Sequence, residues 1–263
     1  MPTIDAPGGT LHTIDQGTGT PVVLLHGFPL DSRMWAAQVP ALAAAGHRVI
    51  APDLRGFGQS RSDRPFTIES LADDVHALLE RMNVLPVVLA GLSMGGYVAL
   101  AYAKKYPADL RGLVLLDTKA EADTPEGKEG RGKMIDLVRR DGAKAVADQM
   151  MPKMLAKDAA GQRPQVAQDL RRMMEQTPPK TIEHALAAMR DRPDRGGELS
   201  SIAIPALVVV GESDAITPPQ GAEAMAKKVP GAKYELVRGA GHMSPMEQPD
   251  QVNRALLAFL RTI

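Results

Sequence analysis

Cysteine is missing from all 263 residues. Its absence excludes disulfides, cysteine-ligated metal centres and thiol nucleophiles together. It also fits a reducing compartment, so a cytoplasmic location is expected. Aromatic residues are scarce, at 3% with a single tryptophan. Neither sign of charge is in excess: 31 Lys and Arg balance 31 Asp and Glu. A nucleic-acid binder needs a basic surface to displace counterions, and a binder of anionic membranes needs a polybasic patch, so neither partner is expected. Long hydrophobic runs are lacking too. Val22-Val23-Leu24-Leu25 and Ala206-Leu207-Val208-Val209-Val210 are far too short to span a bilayer. The first nine residues have neither a basic nor an apolar stretch, so no secretory leader is expected.

Metal-binding and phosphate-binding patterns are absent as well. His12, His47, His76 and His184 are scattered, without the H-E-x-x-H or paired spacing of a zinc site. Gly56-Phe57-Gly58 lacks the Lys-Ser/Thr of a phosphate loop and reads as a turn. No metal and no cofactor is expected.

What is present is a chain with 44% hydrophobic residues, enough to bury a sizeable core. Short apolar runs recur at residues 21–26, 47–52, 86–91, 112–117, 206–211 and 232–237. Read as continuous rather than alternating, they suit strands covered by helices on both faces. Residues 10–15, followed by Gly17 and Gly19, suggest an antiparallel edge strand and a turn. Between the runs lie helical patterns. In residues 67–82, Leu71, Val75, Leu78, Leu79 and Met82 form one apolar stripe. Thr67 is placed to cap that helix, and Glu69, Asp73 and Asp74 favour its positive end. Helices are also expected over residues 94–106 and 250–260. Such alternation predicts a mainly parallel α/β sheet.

Residues 121–201 break the rhythm. They carry no strand-like run and hold seven methionines: Met134, Met150, Met151, Met154, Met173, Met174 and Met189. Prolines at 125, 152, 164, 179 and 193 punctuate the stretch into about four short helices. The expected organisation is a core of residues 1–120 and 202–263, with 121–201 inserted as a cap over the ligand crevice at the strand ends.

Three loops carry the candidate chemistry. Gly91-Leu92-Ser93-Met94-Gly95 has the G-x-S-x-G spacing, with strand residues before it and a helix after it. A sharp turn of this kind exposes the serine hydroxyl beside free helix N–H groups. Taken alone, a five-residue pattern also describes a glycine-rich turn with a capping serine. An acyl-transfer serine further needs a base and a group that orients the base. Asp214 follows the run 206–210 in Gly211-Glu212-Ser213-Asp214, and His242 follows the run 232–237 in Gly239-Ala240-Gly241-His242. Taken singly, Asp214 reads equally as a turn-former or a helix cap, and His242 as a loop histidine. The order serine, acid, histidine, each at a strand end, joins them into one arrangement. Backbone N–H groups for an oxyanion are expected from Met94 and from Phe28 in His26-Gly27-Phe28-Pro29. His26 is expected to brace that loop.

These segments, together with Asp53-Leu54-Arg55-Gly56-Phe57-Gly58-Gln59-Ser60, resemble the α/β-hydrolase superfamily over essentially the whole chain. Within it the sequence is similar to compact bacterial esterases, enol-lactonase-like enzymes and cofactor-free haloperoxidases. It departs from haloalkane dehalogenases, which carry Asp at the position of Ser93. The resemblance implies an eight-stranded, mostly parallel sheet with a helical cap. It also implies a serine hydrolase acting on small to medium acyl esters, with Ser93, Asp214 and His242 as the triad. Asp117 stands as a rival acid, since some relatives place theirs after the earlier strand; Asp214 has the usual context. Lactone hydrolysis, C–C bond hydrolysis and perhydrolysis remain alternatives on the same triad, and a slow-turnover ligand sensor is an alternative of another class. The methionines of 121–201 are candidates for an adaptable acyl pocket or for gap-filling between helices.

Overall fold

The strands are β1 (Thr3–Ala6), β2 (Gly9–Gln16), β3 (Thr20–Leu25), β4 (His47–Pro52), β5 (Val87–Leu92), β6 (Leu110–Leu116), β7 (Ala206–Gly211) and β8 (Lys233–Val237). They form one sheet in the order β1-β2-β4-β3-β5-β6-β7-β8. β2 runs antiparallel to β1 and β4, and every pairing from β4 across to β8 is parallel. The computed structural model describes residues 3–157 and 159–263; residues 1, 2 and 158, which the expected segment bounds include, lie outside the described residues.

The unbroken apolar runs have a direct cause. Val23 and Leu25 of β3 face one core, while Val22 and Leu24 face the other. Successive side chains of a strand point to opposite faces, so a strand covered on both sides needs apolar residues at every position. The helices that cover it are α1 (Gln38–Ala44), α2 (Ile68–Arg81), α3 (Met94–Lys105), α4 (Pro125–Met154), α5 (Ala159–Gln162), α6 (Pro164–Gln176), α7 (Pro179–Arg190), α8 (Pro219–Lys228), α9 (Ser244–Glu247) and α10 (Pro249–Leu260). α2, α3 and α8 pack on one face, and α1 and α10 on the other. On α2 the stripe Leu71, Val75, Leu78 and Leu79 is fully buried. Each such side chain contributes on the order of 2 kcal/mol.

Several expectations need correction. Residues 10–15 do form a strand antiparallel to its neighbour, but β1 pairs beyond it, so the edge belongs to Thr3–Ala6. The run 232–237 is not continuously apolar: β8 is the opposite edge, and Lys233, Glu235 and Leu236 are exposed on it. Thr67 and Ser70 form a reciprocal capping box at the start of α2. Asp73 and Asp74, however, serve tertiary partners: Asp73 accepts from Tyr106 Oη at 2.7 Å, and buried Asp74 accepts from Arg55 Nε at 2.7 Å.

Helices α4–α7 follow β6 and precede β7. Among the described residues they are four, but α4 is longer than expected, because Pro152 sits inside its last turn instead of ending a helix before it. The break in α4 falls at Gly142, whose φ of 78° and ψ of −173° no L side chain adopts readily. Among the described residues, no helix is long and apolar enough to cross a membrane.

Candidate active site

Parallel strands bring all their C-terminal ends to one edge of the sheet. The loops after β3, β5, β6, β7 and β8 therefore meet there.

Ser93 links β5 to α3. Its backbone lies at φ 53° and ψ −113°, a region rarely occupied by a residue with a Cβ. Neighbours hold it in place. Its N–H donates to the Leu116 carbonyl at 3.0 Å, and its own carbonyl accepts from Gly96 N at 2.9 Å and Thr118 Oγ1 at 2.8 Å. The flanking glycines are required by close approach: a Cβ on Gly91 would lie 2.2 Å from the Gly95 carbonyl oxygen, and one on Gly95 would lie 2.3 Å from that of Leu25.

His242 follows β8, is 2% exposed, and reaches Ser93 Oγ with Nε2 at 2.9 Å. Its Nδ1 lies 2.9 Å from Asp214 Oδ2. Burial pushes the Asp214 carboxyl up, but the hydrogen bond to His242 and the positive charge its imidazole can carry, with the hydrogen bonds from Thr217, more than offset this and hold it below the usual range. An ionised Asp214 accepts, so Nδ1 carries the proton and Nε2 is free to accept from the serine hydroxyl. The other oxygen, Oδ1, accepts from Ile216 N at 2.8 Å and Thr217 N at 2.9 Å. The turn-former and the partner of the histidine are thus one residue.

Asp117, the rival acid, is fully buried after β6. It accepts from Gly211 N at 2.8 Å and from Ser244 Oγ at 2.5 Å, and it makes no hydrogen bond with His242. Burial, reinforced by the charge of Asp214, raises its pKa well above the carboxylate norm. It ties the ends of β6 and β7 to the start of α9.

The loop after β3 backs onto the serine: a Cβ on Gly27 would stand 3.4 Å from Ser93 Cβ. Buried His26 spans the loop, its Nδ1 3.0 Å from the Gly27 carbonyl and its Nε2 accepting from Leu54 N at 2.9 Å. Burial lowers its pKa, so it stays neutral in this bracing position. Phe28 follows Gly27 in this loop. Met94 opens α3, where an N–H has no intrahelical acceptor. Of the seven methionines, Met154, Met173, Met174 and Met189 are buried in the two cores. Met173 also lines a cavity of about 350 Å³ with Met34 and Met246. Among the described residues, no cluster of side chains suited to a metal ion occurs.

Sequence reasoning missed Thr217. Its Oγ1 donates to Asp214 Oδ2 at 2.5 Å and lies 3.4 Å from His242 Nδ1. The spacing Asp-x-x-Thr before a proline was a usable turn signal. Glu247 was missed as well, and nothing in its local sequence marks it.

The profile of the family described as alpha/beta hydrolase fold matches residues 20–249. The chain is 33% identical to the AB hydrolase superfamily protein YisY of Bacillus subtilis (strain 168), over 95% of each chain. Among solved structures it is similar to a thermophilic esterase from Thermogutta terrifontis in a malate-bound form, with a TM-score of 0.96 and 42% identity over 100% of this chain and 99% of that one. It is also similar to the enol-lactonase from Burkholderia xenovorans LB400, with a TM-score of 0.92 and 29% identity over 99% and 100% of the two chains. Sheet order, the strained serine turn and these likenesses over nearly the full length agree: the chain belongs to the alpha/beta hydrolase superfamily.

Proposed function

We propose that this protein is a serine carboxylic ester hydrolase, with Ser93 as nucleophile, His242 as base and Asp214 as the orienting acid. The observation that carries the reading is the unbroken chain from Ser93 Oγ to His242 Nε2 at 2.9 Å and from His242 Nδ1 to Asp214 Oδ2 at 2.9 Å. His242 Nε2 takes the hydroxyl proton as Oγ attacks the ester carbonyl carbon. Asp214 stabilises the imidazolium that forms. The backbone N–H groups of Phe28 and Met94 receive the oxyanion. On collapse the imidazolium passes its proton to the departing alcohol, leaving an acyl group on Ser93. Water, deprotonated by His242, then attacks the acyl carbon, and the carboxylic acid leaves as the serine regains its proton.

Residues 121–201 act in this reading as a cap that bounds the acyl pocket. Thr177 Oγ1 donates to the Pro29 carbonyl at 2.8 Å, next to the proposed oxyanion loop, which supports that placement. Lactone hydrolysis is the second reading, favoured by the likeness to the enol-lactonase.

A p-nitrophenyl ester series of increasing acyl length, run beside a panel of lactones, tests both readings. Turnover is expected on short and medium esters. Ser93→Ala is expected to lower kcat by roughly 10⁴- to 10⁶-fold. Near wild-type ester hydrolysis by that variant would sink the proposal, and no more than a few slow cycles by the wild type would favour a sensor.

A further inference from the structure

His242 is clamped on both sides by the far end of α4. Before it, the Gly241 N–H donates to Glu247 Oε1 at 2.8 Å. The other oxygen, Glu247 Oε2, accepts from the Ala156 N–H at 2.8 Å, two residues beyond α4. After it, the Met243 N–H donates to the Met154 carbonyl at 3.1 Å. Contact between the two segments is tight: a Cβ on Gly241 would lie 2.4 Å from Ala156 N and 2.6 Å from the Leu155 carbonyl carbon.

Glu247 is 1% exposed, on a helix of only four residues. Burial raises its pKa, and the N–H groups of Ala156, Gly241 and Met243, with the charge of Arg163, offset this only in part. Ionised Glu247 therefore costs folding free energy. Gln or Met would fill the same volume without a buried charge. Gln offers one accepting oxygen and Met none, so neither can give each of the two segments an oxygen of its own, as the carboxylate does. This holding of two segments is the property that the costly group supplies.

We infer that Glu247 is a positioning residue: it bolts the His242 loop to residues 154–156, and so sets the reach of the imidazole to Ser93 Oγ. The inference rests on the reading of His242 as the base. It also means that displacement of the end of α4 moves the base, coupling the seating of the inserted helices to turnover.

The test compares Glu247→Gln, Glu247→Asp and Glu247→Ala with Asp74→Asn as a control. Asp74 is equally buried and bonded, to Arg55 and the Gly8 N–H, but stands apart from the His242 loop. Three quantities are measured: kcat and KM on p-nitrophenyl acetate, the downfield proton resonance of His242 Nδ1–H, and Tm. Glu247→Gln keeps one acceptor and sets its amide against the other N–H. Its kcat is expected to fall about 10- to 100-fold with KM within about 3-fold, and the resonance is expected to shift or broaden. Glu247→Asp, too short to reach both segments, and Glu247→Ala are expected to lose at least as much; if the alanine variant does not fold, the other two carry the comparison. Asp74→Asn is expected to lower Tm while kcat and the resonance stay close to wild type. Wild-type kcat in the Glu247 variants, or a loss of kcat with an unchanged resonance, overturns the inference. Retained activity in Ser93→Ala would instead overturn the reading of the triad, and the resonance still reports on Glu247 independently.

Discussion

Asp214 divides its two oxygens between a backbone turn and an imidazole, and Thr217 serves both tasks. In Thr217→Val the shape stays and the hydroxyl bond to a charged acceptor goes. A fall in kcat of about 10-fold is expected, near 1.4 kcal/mol, with little change in Tm; steady-state kinetics and a thermal melt check both. The two acids separate in the same way. Asp214→Asn is expected to lose roughly 10⁴-fold in kcat, because the amide favours the wrong imidazole tautomer. Among the described residues Asp117 holds Gly211 and Ser244, and its raised pKa already favours the neutral form, which Asn imitates. Asp117→Asn is expected to stay within about 3-fold of wild type; a loss comparable to that of Asp214→Asn would move the acid to Asp117. Ser93, Asp214 and His242 were legible because each stands in a glycine-marked turn after a strand. Thr217 carried only a turn signal and Glu247 none, because the contacts that matter, with His242 and with Ala156, come from elsewhere in the chain.

Among the elements, α2 was the most readable, since its cap, stripe and end all lie within one local stretch. α4 was the least. Pro152 looked like a terminator and is carried in the last turn, while Gly142 makes the break. Nothing lies within 4 Å of a Cβ built on Gly142, so a substitution there feels only backbone strain. Gly142→Ala is expected to cost about 1–3 kcal/mol in urea unfolding, with no loss of kcat. Gly95→Ala is different in kind. Its Cβ would meet the Leu25 carbonyl at 2.3 Å, so the serine turn itself must shift, and kcat is expected to fall along with stability. Measuring both quantities in both variants separates strain from displacement.

Across the whole molecule, the segment of helices α4–α7 is pinned to several loops of the sheet at once. Thr177 reaches the Pro29 carbonyl, Thr181 reaches the Gly56 carbonyl, and Glu247 holds Ala156. The two ends of the segment between β6 and β7 are clasped together at Asp123, which accepts from Arg131 Nε at 2.7 Å and pairs with Arg192 Nη1 at 3.0 Å. Arg192 also stacks over the Tyr97 ring of α3 at 4.0 Å. Burial works against ionised Asp123, but the two arginines prevail and hold its pKa down to about 2. A carboxylate depressed on folding stabilises above its unfolded pKa of about 4 and loses that contribution as pH falls towards 2. The wild type is therefore expected to lose stability more steeply than Asp123→Asn between pH 4 and 2, with the difference between them largest at neutral pH. Urea midpoints across that range check the sign; parallel curves would remove Asp123 from the account.

The sequence by itself determined the alternation of strand and helix, the parallel sheet and the three loops that bear Ser93, Asp214 and His242. These are set by local patterns: apolar runs of strand length, stripes of helical spacing and glycines where a Cβ will not fit. Only the tertiary structure decided which acid meets the histidine, which strands form the edges, and that the end of α4 packs against the loop of His242. Those outcomes depend on distances between segments far apart in the chain. A carboxylate accepts equally well from any N–H that reaches it, so the partners of Asp117, Asp214 and Glu247 became definite only once the sheet had brought the loops together.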